Sequence, residues 1–498
     1  MKLAAATVLV ALALAAFGVA QVWDFTCDDA FITFRYSRNL ARGVGPTFNT
    51  EPPRAEGYTS FLWMALATVP HLTGSDAVVA AKVMGVGLAL LTAATCLATA
   101  WSLGEGADPA DRWLSASLAA TVFAVYPLTA VHAVSGMDTA LAAFLVSLLG
   151  WLVVRGGRVP APAIPCCALL LGLARPELNL ASLAFIIAVF RRLQGDGRRR
   201  FLRSVLLWYV LPGALYFAWR VSYYGALLPL PFYVKGATLE PRGLLSALYF
   251  GVEVAGCFGL LLAVAVVNLN SRCVPILSAV LVVLLYLLHP EHVMGFGHRF
   301  FHPLVPLIAA LSARGAVLLL SAVRERLGAR RVALAHVGLL VVGLTPVVYH
   351  YQFVWQEFRQ YARGMGNAHV RLGKLLSKYA AGEGTVLAIR DAGAVPYYSD
   401  WETVDCAGLN DPHIARAGVA APSYVFERRP CLVVLQSRRP DKFQPHEASE
   451  QALFDECVRR GMSSVGTLEF KRDYYLWLMA YPDSALANAL KAELRRPG

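Results

Sequence analysis

Asp28 and Asp29 stand side by side in Cys27-Asp-Asp-Ala-Phe-Ile-Thr-Phe-Arg-Tyr-Ser-Arg-Asn-Leu40, just after a long apolar run. One carboxylate at a helix start caps free N–H groups and favours the positive end of the helix dipole. A second acid exceeds what capping needs, and the pair suits a general base beside a group that binds a cation or a hydroxyl. The stretch also reads as an amphipathic helix, with Phe31, Phe34 and Leu40 toward lipid and Arg35 and Arg38 toward phosphates. Asp138, in Ser-Gly-Met-Asp-Thr, is read first as a cap. Arg175-Pro-Glu177 places two charges in an apolar block, where they must be paired or face a wet cavity. An ion pair of Arg175 with Glu177 or Asp138 explains them as well as substrate binding does. Tyr223, Tyr224 and Tyr233 read as interfacial tyrosines, and Lys235 as a snorkelling lysine. His298 and His302 have i, i+4 spacing, but no acidic third ligand is adjacent, so no metal is assigned. Lys235 and Arg299 suit a lipid phosphate.

The elements that position these residues are membrane helices. The chain of 498 residues is 57% hydrophobic and 16% charged, with a mean hydropathy of +0.51. Its apolar residues come in blocks such as Ala4–Ala20, Val78–Trp101, Leu114–Ala130, Val274–Leu288 and Val332–Tyr349. About 20 apolar residues cross a bilayer core, which predicts about ten or eleven membrane-embedded helices. The first block reads as a retained anchor, because Gln21–Phe25 offers no small-residue cleavage site. The net charge of +12 comes largely from short basic loops, including six arginines between Arg191 and Arg203. This is a cytoplasmic-loop pattern and not a nucleic-acid face. Nine cysteines give no disulfide framework, although a bridge among Cys406, Cys431 and Cys457 is open.

Charge and parity then set the topology. Thr59–Leu72, at about 14 residues, is short for a span. If it lies along the surface, the basic loops fall inside. Asp28–Asp29, Ser135–Asp138, Arg175–Glu177, Tyr223–Lys235 and His298–His302 then share the outer face. This count needs Val159–Phe190, broken at Ala174–Glu177, to enter and leave on one side as a hairpin or re-entrant pair. From about Phe353 the composition becomes that of a soluble α/β domain. Helices are expected at Phe358–Ala380 and Glu447–Arg460. Strands are expected at Thr385–Ile389, Cys431–Leu435, Val465–Phe470 and Tyr474–Met479, with a last helix after them. The expected fold class is an all-α polytopic membrane domain, residues 1–352 with its first outer loop at 24–58, followed by an extracytoplasmic α/β domain, residues 353–498.

The motifs Asp28-Asp-Ala-Phe-Ile-Thr-Phe-Arg-Tyr36 and Ala55-Glu-Gly-Tyr-Thr-Ser-Phe-Leu-Trp63 resemble the opening of C-type (GT-C) bacterial membrane glycosyltransferases. Among these, the pattern resembles that of the mycobacterial terminal β-(1→2)-arabinofuranosyltransferases. Ser135-Gly-Met-Asp138, Arg175-Pro-Glu177, Tyr223-Tyr-Gly, Pro229 to Lys235, His298-Arg-Phe300 and Asp391-Ala-Gly-Ala-Val-Pro-Tyr-Tyr398 are similar to the same pattern, although many relatives carry Glu where Asp138 stands. The resemblance implies a GT-C fold in the bacterial plasma membrane. It also implies a polyprenyl-phosphate sugar donor, with arabinofuranose one such sugar, and an envelope glycan or glycolipid acceptor. Asp28 or Asp29 would be the base, Asp28 the favoured one. Lys235, Arg299 and Arg175 would meet the leaving phosphate. Glu56 and Asp138 would hold sugar hydroxyls or the arginines. Arg35, Tyr58, Glu177, Tyr224, Tyr233 and His298 would line the substrate, and Asp391 with Tyr397 and Tyr398 would close the acceptor side. No cofactor is required, although Asp28, Asp29 and Asp138 could hold a divalent cation. Two rival readings are a transporter or flippase for lipid-linked sugars, which predicts inverted repeats, and a non-catalytic envelope scaffold, which would tolerate loss of both acids.

Overall fold

The computed structural model describes residues 2–156, 159–234, 244–252, 263, 266, 270–288, 295–327, 353–379 and 385–494. Lys235 and the last apolar block, Val332–Tyr349, lie outside the described residues.

The amino-terminal apolar block forms helix α1 (Lys2–Val22). α2 (Asp28–Ala41) follows, with both acids in its first turn. α3 (Phe61–Thr73) starts where the Ser60 side chain accepts the Trp63 N–H and stops at Gly74 in a left-handed conformation. Its 13 residues span about 20 Å, short of a bilayer core of about 30 Å. It packs along α2, where Ser37 Oγ donates to the Met64 carbonyl at 2.8 Å.

Helices α4 (Ala77–Leu103), α5 (Pro109–Val125), α6 (Pro127–Val134) and α7 (Thr139–Arg155) bundle around the helix Val305–Leu327. The chain bends by 60° between α5 and α6, at Pro127, which has no N–H to continue the ladder. α8 (Ala163–Ala174) and α9 (Asn179–Arg192) form a hairpin about Arg175. Ser182 Oγ donates to the Ala168 carbonyl at 3.3 Å. These residues are equidistant along the chain from Arg175, so the two helices run back against each other, which is the shape expected for the broken block.

Among the described residues three helices are long and apolar enough to cross a membrane: Ala77–Leu103, Gly195–Tyr224 and Phe296–Ala322. The bent α5–α6 pair would make a fourth, and five further apolar helices are shorter. Leu9, Val10, Phe17, Val83, Leu90, Trp208, Leu215 and Leu285 are exposed. Exposed apolar surface of this kind is what a membrane-facing or partner-facing helix carries.

The carboxy-terminal part opens with a helix over 353–376, widened at Gly366–Val370. A five-stranded sheet follows in the order β2-β1-β3-β5-β4. Its strands are β1 (Val386–Ile389), β2 (Glu402–Asp405), β3 (Leu432–Ser437), β4 (Ser463–Lys471) and β5 (Tyr474–Ala480). β1 runs parallel to β2 and β3, while β5 runs antiparallel to β3 and β4. The four expected strands are present. β2 is additional, a short, half-polar segment whose pairing partner lies across a helix. Side chains alternate across the sheet. Leu387, Ile389, Val434, Leu476 and Leu478 join the core that continues into the bundle. Ala388, Val433, Leu435 and Met479 pack with the outer helices. Cys406, Cys431 and Cys457 are all free thiols, so the open disulfide is not formed.

The structure corrects the reading of α2 as a helix with a lipid-facing side. Phe31 and Phe34 are buried against Tyr397, at 5.5 and 6.1 Å between rings. Arg35 spends its guanidinium on the carbonyls of Phe48 (2.6 Å), Pro396 (2.6 Å) and Trp401 (2.7 Å) and on Asn49 Oδ1 (3.2 Å). Arg38 donates to the Tyr397 carbonyl and pairs with Asp400. Both arginines fasten α2 to the carboxy-terminal domain, and four of the five Arg35 N–H donors are spent on that seam.

Candidate functional site

The two acids that open α2 have different surroundings. Asp28 is buried. Its Oδ1 accepts the Ala394 N–H at 2.8 Å and its Oδ2 the Gly393 N–H at 3.2 Å. Gly393 is required there, because a β-carbon on it would lie 2.2 Å from the Asp28 carbonyl oxygen. The Asp28 N–H itself donates to Tyr361 Oη. Burial, reinforced by the charges of Asp391 and Asp29, pushes the Asp28 carboxyl up to about 6 against the opposing pull of His369 and the Ala394 N–H.

Behind Asp28 lies a second acid, Asp391. Its Oδ2 contacts His369 Nε2 at 2.9 Å and accepts from Tyr474 Oη at 2.6 Å, and its Oδ1 accepts from Gln436 Nε2 at 2.8 Å. Burial favours the neutral acid, but the hydrogen bonds and charge of His369 outweigh it and hold Asp391 below the usual carboxylate range. Burial likewise opposes charge on His369, yet the Asp391 hydrogen bond and the charges of Asp391 and Asp28 raise its pKa above the ordinary histidine value.

Asp29 is free of such ties. Its Oδ2 lies 3.7 Å from Arg299 Nη1, too long for a hydrogen bond. Arg299 Nε and Nη1 are buried and have no hydrogen-bond partner among the described residues. A guanidinium in that state is expensive unless something completes it.

The segment carrying Arg299 is clamped. Gly297 and His298 both take positive φ, +53° and +52°, which for histidine stores backbone strain of about 1 kcal/mol. His132 Nε2 meets the Gly297 carbonyl at 2.7 Å, and Arg175 Nη1 donates to the Arg299 carbonyl at 3.2 Å. Arg175 Nε in turn meets Asp138 Oδ2 at 2.6 Å, with Glu177 at 3.6 Å. Asp138 is therefore no cap. It stands at the start of α7 without a capping bond and turns its carboxylate to Arg175.

The structure thus brings Asp28, Asp29, Asp138, Arg175, Glu177, Arg299 and Asp391 into one connected region, and it employs other candidates elsewhere. Glu56 is paired with buried Arg220 at 2.7 Å. Tyr58 Oη meets Tyr224 Oη at 3.0 Å, and Tyr224 donates to the Pro46 carbonyl. Tyr233 is exposed. His298 packs near Phe250 and Phe301, and His302 lies buried 4.4 Å from the His132 ring. No three potential metal ligands converge among the described residues. Of the three acids weighed for a cation, Asp28 is engaged by backbone amides and Asp138 by Arg175.

His369, Tyr361, Tyr474, Gln436 and His132 were missing from the sequence reading. One signal was available: Tyr361, Met365, His369 and Leu372 recur at helical spacing, which puts His369 on a buried face where a charge needs a partner.

Comparison with known proteins bears on the fold. A family model described as a domain of unknown function (DUF8728) matches residues 356–484. No curated protein sequence matches the chain. The crystal structure of ArnT from Cupriavidus metallidurans bound to undecaprenyl phosphate is similar, with a TM-score of 0.60 at 12% identity over 96% of this chain and 98% of that one. Its apo state gives 0.60 at 13% identity over 99% of each chain. A similarity to the archaeal oligosaccharyltransferase AglB from Archaeoglobus fulgidus in complex with an inhibitory peptide and dolichol-phosphate reaches only 0.49, at 11% identity over 99% of this chain and 77% of that one. At these identities the likeness is one of fold: the chain has the GT-C architecture that ArnT has.

Proposed function

We propose that this protein is a membrane glycosyltransferase that moves a sugar from a polyprenyl-phosphate donor to a cell-envelope glycan or glycolipid. It would work at the outer face of the bacterial plasma membrane, with residues 1–352 as the membrane domain and 353–498 as the extracytoplasmic one. The GT-C fold supports the reaction class, and the ArnT bound to undecaprenyl phosphate supports the donor class. The observation that carries the reading is Asp29 beside Arg299, whose Nε and Nη1 are buried without partners.

Asp29, and not Asp28, is the base in this proposal. Asp28 has both oxygens engaged by backbone N–H groups, which leaves Asp29 as the acid of the pair whose carboxylate faces Arg299. Asp29 accepts the proton of an acceptor hydroxyl, whose oxygen forms a bond to the anomeric carbon as the carbon–oxygen bond to phosphate breaks. The leaving polyprenyl phosphate carries away the electron pair. Arg299 Nε and Nη1 donate to its developing charge, and Asp138, Arg175 and Glu177 hold Arg299 in place. Lys235 remains a proposed second phosphate contact, and arabinofuranose the first sugar to try.

The test is transfer by the purified chain from a panel of radiolabelled polyprenyl-phosphate sugars, arabinofuranose included. Asp29→Asn should lower turnover about 100- to 10,000-fold with folding intact. Wild-type turnover in Asp29→Asn would sink the base assignment, and no transfer from any donor would sink the reaction class.

A further inference from the structure

The outer domain carries an open, basic cleft that the transfer chemistry does not use. It has a volume of about 690 Å³ and is lined by Arg363, Asn367 and Arg371 from the helix 353–376, by Glu469 and Lys471 at the end of β4 and by Arg472 in the turn to β5. Four cations and the Glu469 carboxylate line it, with the exposed Asp473 carboxylate 3.9 Å from Arg472 at its rim. A smaller cleft with Arg359 and Arg363 adjoins it. Arg359, Arg363, Lys471 and Arg472 are exposed.

The cleft is separate from the acids. Phe470 lines it and on its other side packs on Tyr361, His369 and Tyr474, with ring centroids 5.1, 5.1 and 5.2 Å away. The hairpin is pressed tightly onto the helix here, since a β-carbon on Gly364 would fall 1.9 Å from the Phe470 carbonyl oxygen. The wall between cleft and site is therefore one aromatic layer, fixed in place.

The direction of the helix 353–376 decides what the cleft can hold. Phe17 packs on Trp355, Gln21 meets Arg359, Phe25 packs on Phe358 and Tyr361, and the Asp28 N–H meets Tyr361. Both chains advance together, so this helix runs parallel to the end of α1 and onward past it. Arg359 lies level with the last turn of α1. Arg371, twelve residues on, stands about 18 Å farther out. A row of cations climbing away from the bilayer is poorly placed to lie on lipid headgroups, and it suits a chain that rises from the membrane. Guanidinium forks select carboxylate and phosphate oxygens, and Asn367 and Gln360 offer side-chain amides to hydroxyls.

We propose that this cleft binds an acidic glycan, a sugar chain bearing carboxylate or phosphate groups, and steadies it one aromatic layer from the acids of α2. That this glycan is the acceptor rests on the transferase reading. The glycan binding itself does not.

The experiment measures binding and transfer separately on the full chain in detergent. Fluorescent tetragalacturonate and a phosphorylated tetramannoside are titrated by anisotropy, with neutral tetramannoside as competitor and phosphatidylglycerol vesicles as a parallel arm. At least one acidic probe should bind, weaken as salt is raised, and resist the neutral competitor. Arg363→Gln with Arg472→Gln should weaken that binding at least tenfold with an unchanged melting temperature, and Asp29→Asn should leave it intact. The proposal is overturned if neither acidic probe binds, if the neutral sugar competes equally, if the double variant binds as wild type does, or if only the vesicles bind. Acidic-probe binding without transfer from any donor would keep the cleft and discard the transferase reading.

Discussion

Asp28 and Asp29 are chemically identical neighbours made different by what surrounds them. Asp28 accepts two N–H groups with two oxygens. Asparagine there would offer one oxygen and turn an NH2 toward a donor, so Asp28→Asn should cost about 1–3 kcal/mol of stability. The pH dependence follows from burial. Asp28 has a folded pKa raised to about 6, above the unfolded value of about 4. The folded state therefore holds its proton longer, and stability is lost as pH rises from about 4 to about 6. Thermal unfolding from pH 4 to 7 should show a flatter slope in Asp28→Asn than in wild type, and equal slopes would refute the assignment. His369 has the same sign at higher pH. Its pKa is raised against burial by Asp391, so the pair stabilises most when His369 is charged and loses that contribution as pH climbs through the raised value. His369→Gln should consequently destabilise more at pH 6 than at pH 9. A uniform loss across that range would mean His369 acts by packing alone.

At the scale of elements, the α8–α9 hairpin was legible because Arg175-Pro-Glu177 interrupts an apolar block and a charge there must find a partner. Asp138 was among the partners weighed, but reading it first as a cap underrated it, since cap and partner share the same local sequence. His132 gave no sign of its role, because its bond to the Gly297 carbonyl joins elements far apart in the chain. The Arg175 clamp links the start of α7, the hairpin and the Arg299 segment. Asp138→Ala removes the 2.6 Å partner of the buried Arg175 guanidinium and leaves it only Glu177 at 3.6 Å, which should cost about 3 kcal/mol, whereas Asp138→Ala with Arg175→Met should recover most of that loss. Transfer should stay low in the double variant, because Arg299 loses the group that holds its carbonyl. Recovery of both stability and transfer would show that the clamp does not position Arg299.

For the whole molecule, periodicity inside each half was readable, and it delivered the bundle blocks and four of the five strands. The docking of the halves was not, because Asp28 and Ala394 are 366 positions apart and nothing local signals their meeting. That docking reverses the meaning of α2. Its aromatic side suits lipid equally well in sequence, yet it is covered by Tyr397 and Tyr398. Arg35 is central to the seam, since its guanidinium bonds the amino-terminal loop at Phe48 and Asn49 and the carboxy-terminal domain at Pro396 and Trp401 together. Arg35→Met keeps much of the side-chain bulk and removes the charged donor, while the Phe48, Pro396 and Trp401 carbonyls keep bonds from Asn39, Asp400 and Thr403, at a cost of about 1–3 kcal/mol. Hydrogen exchange should then accelerate at least tenfold in α2 and across 394–401, while α4 and α7 keep wild-type protection. On the proposed mechanism transfer should fall with it, because Asp29 sits one residue from the carboxylate that the carboxy-terminal domain holds. If exchange at 394–401 is unchanged in Arg35→Met, the apolar contacts of Phe31 and Phe34 suffice to hold the domains together, and Arg35 is free to be read again as a ligand group.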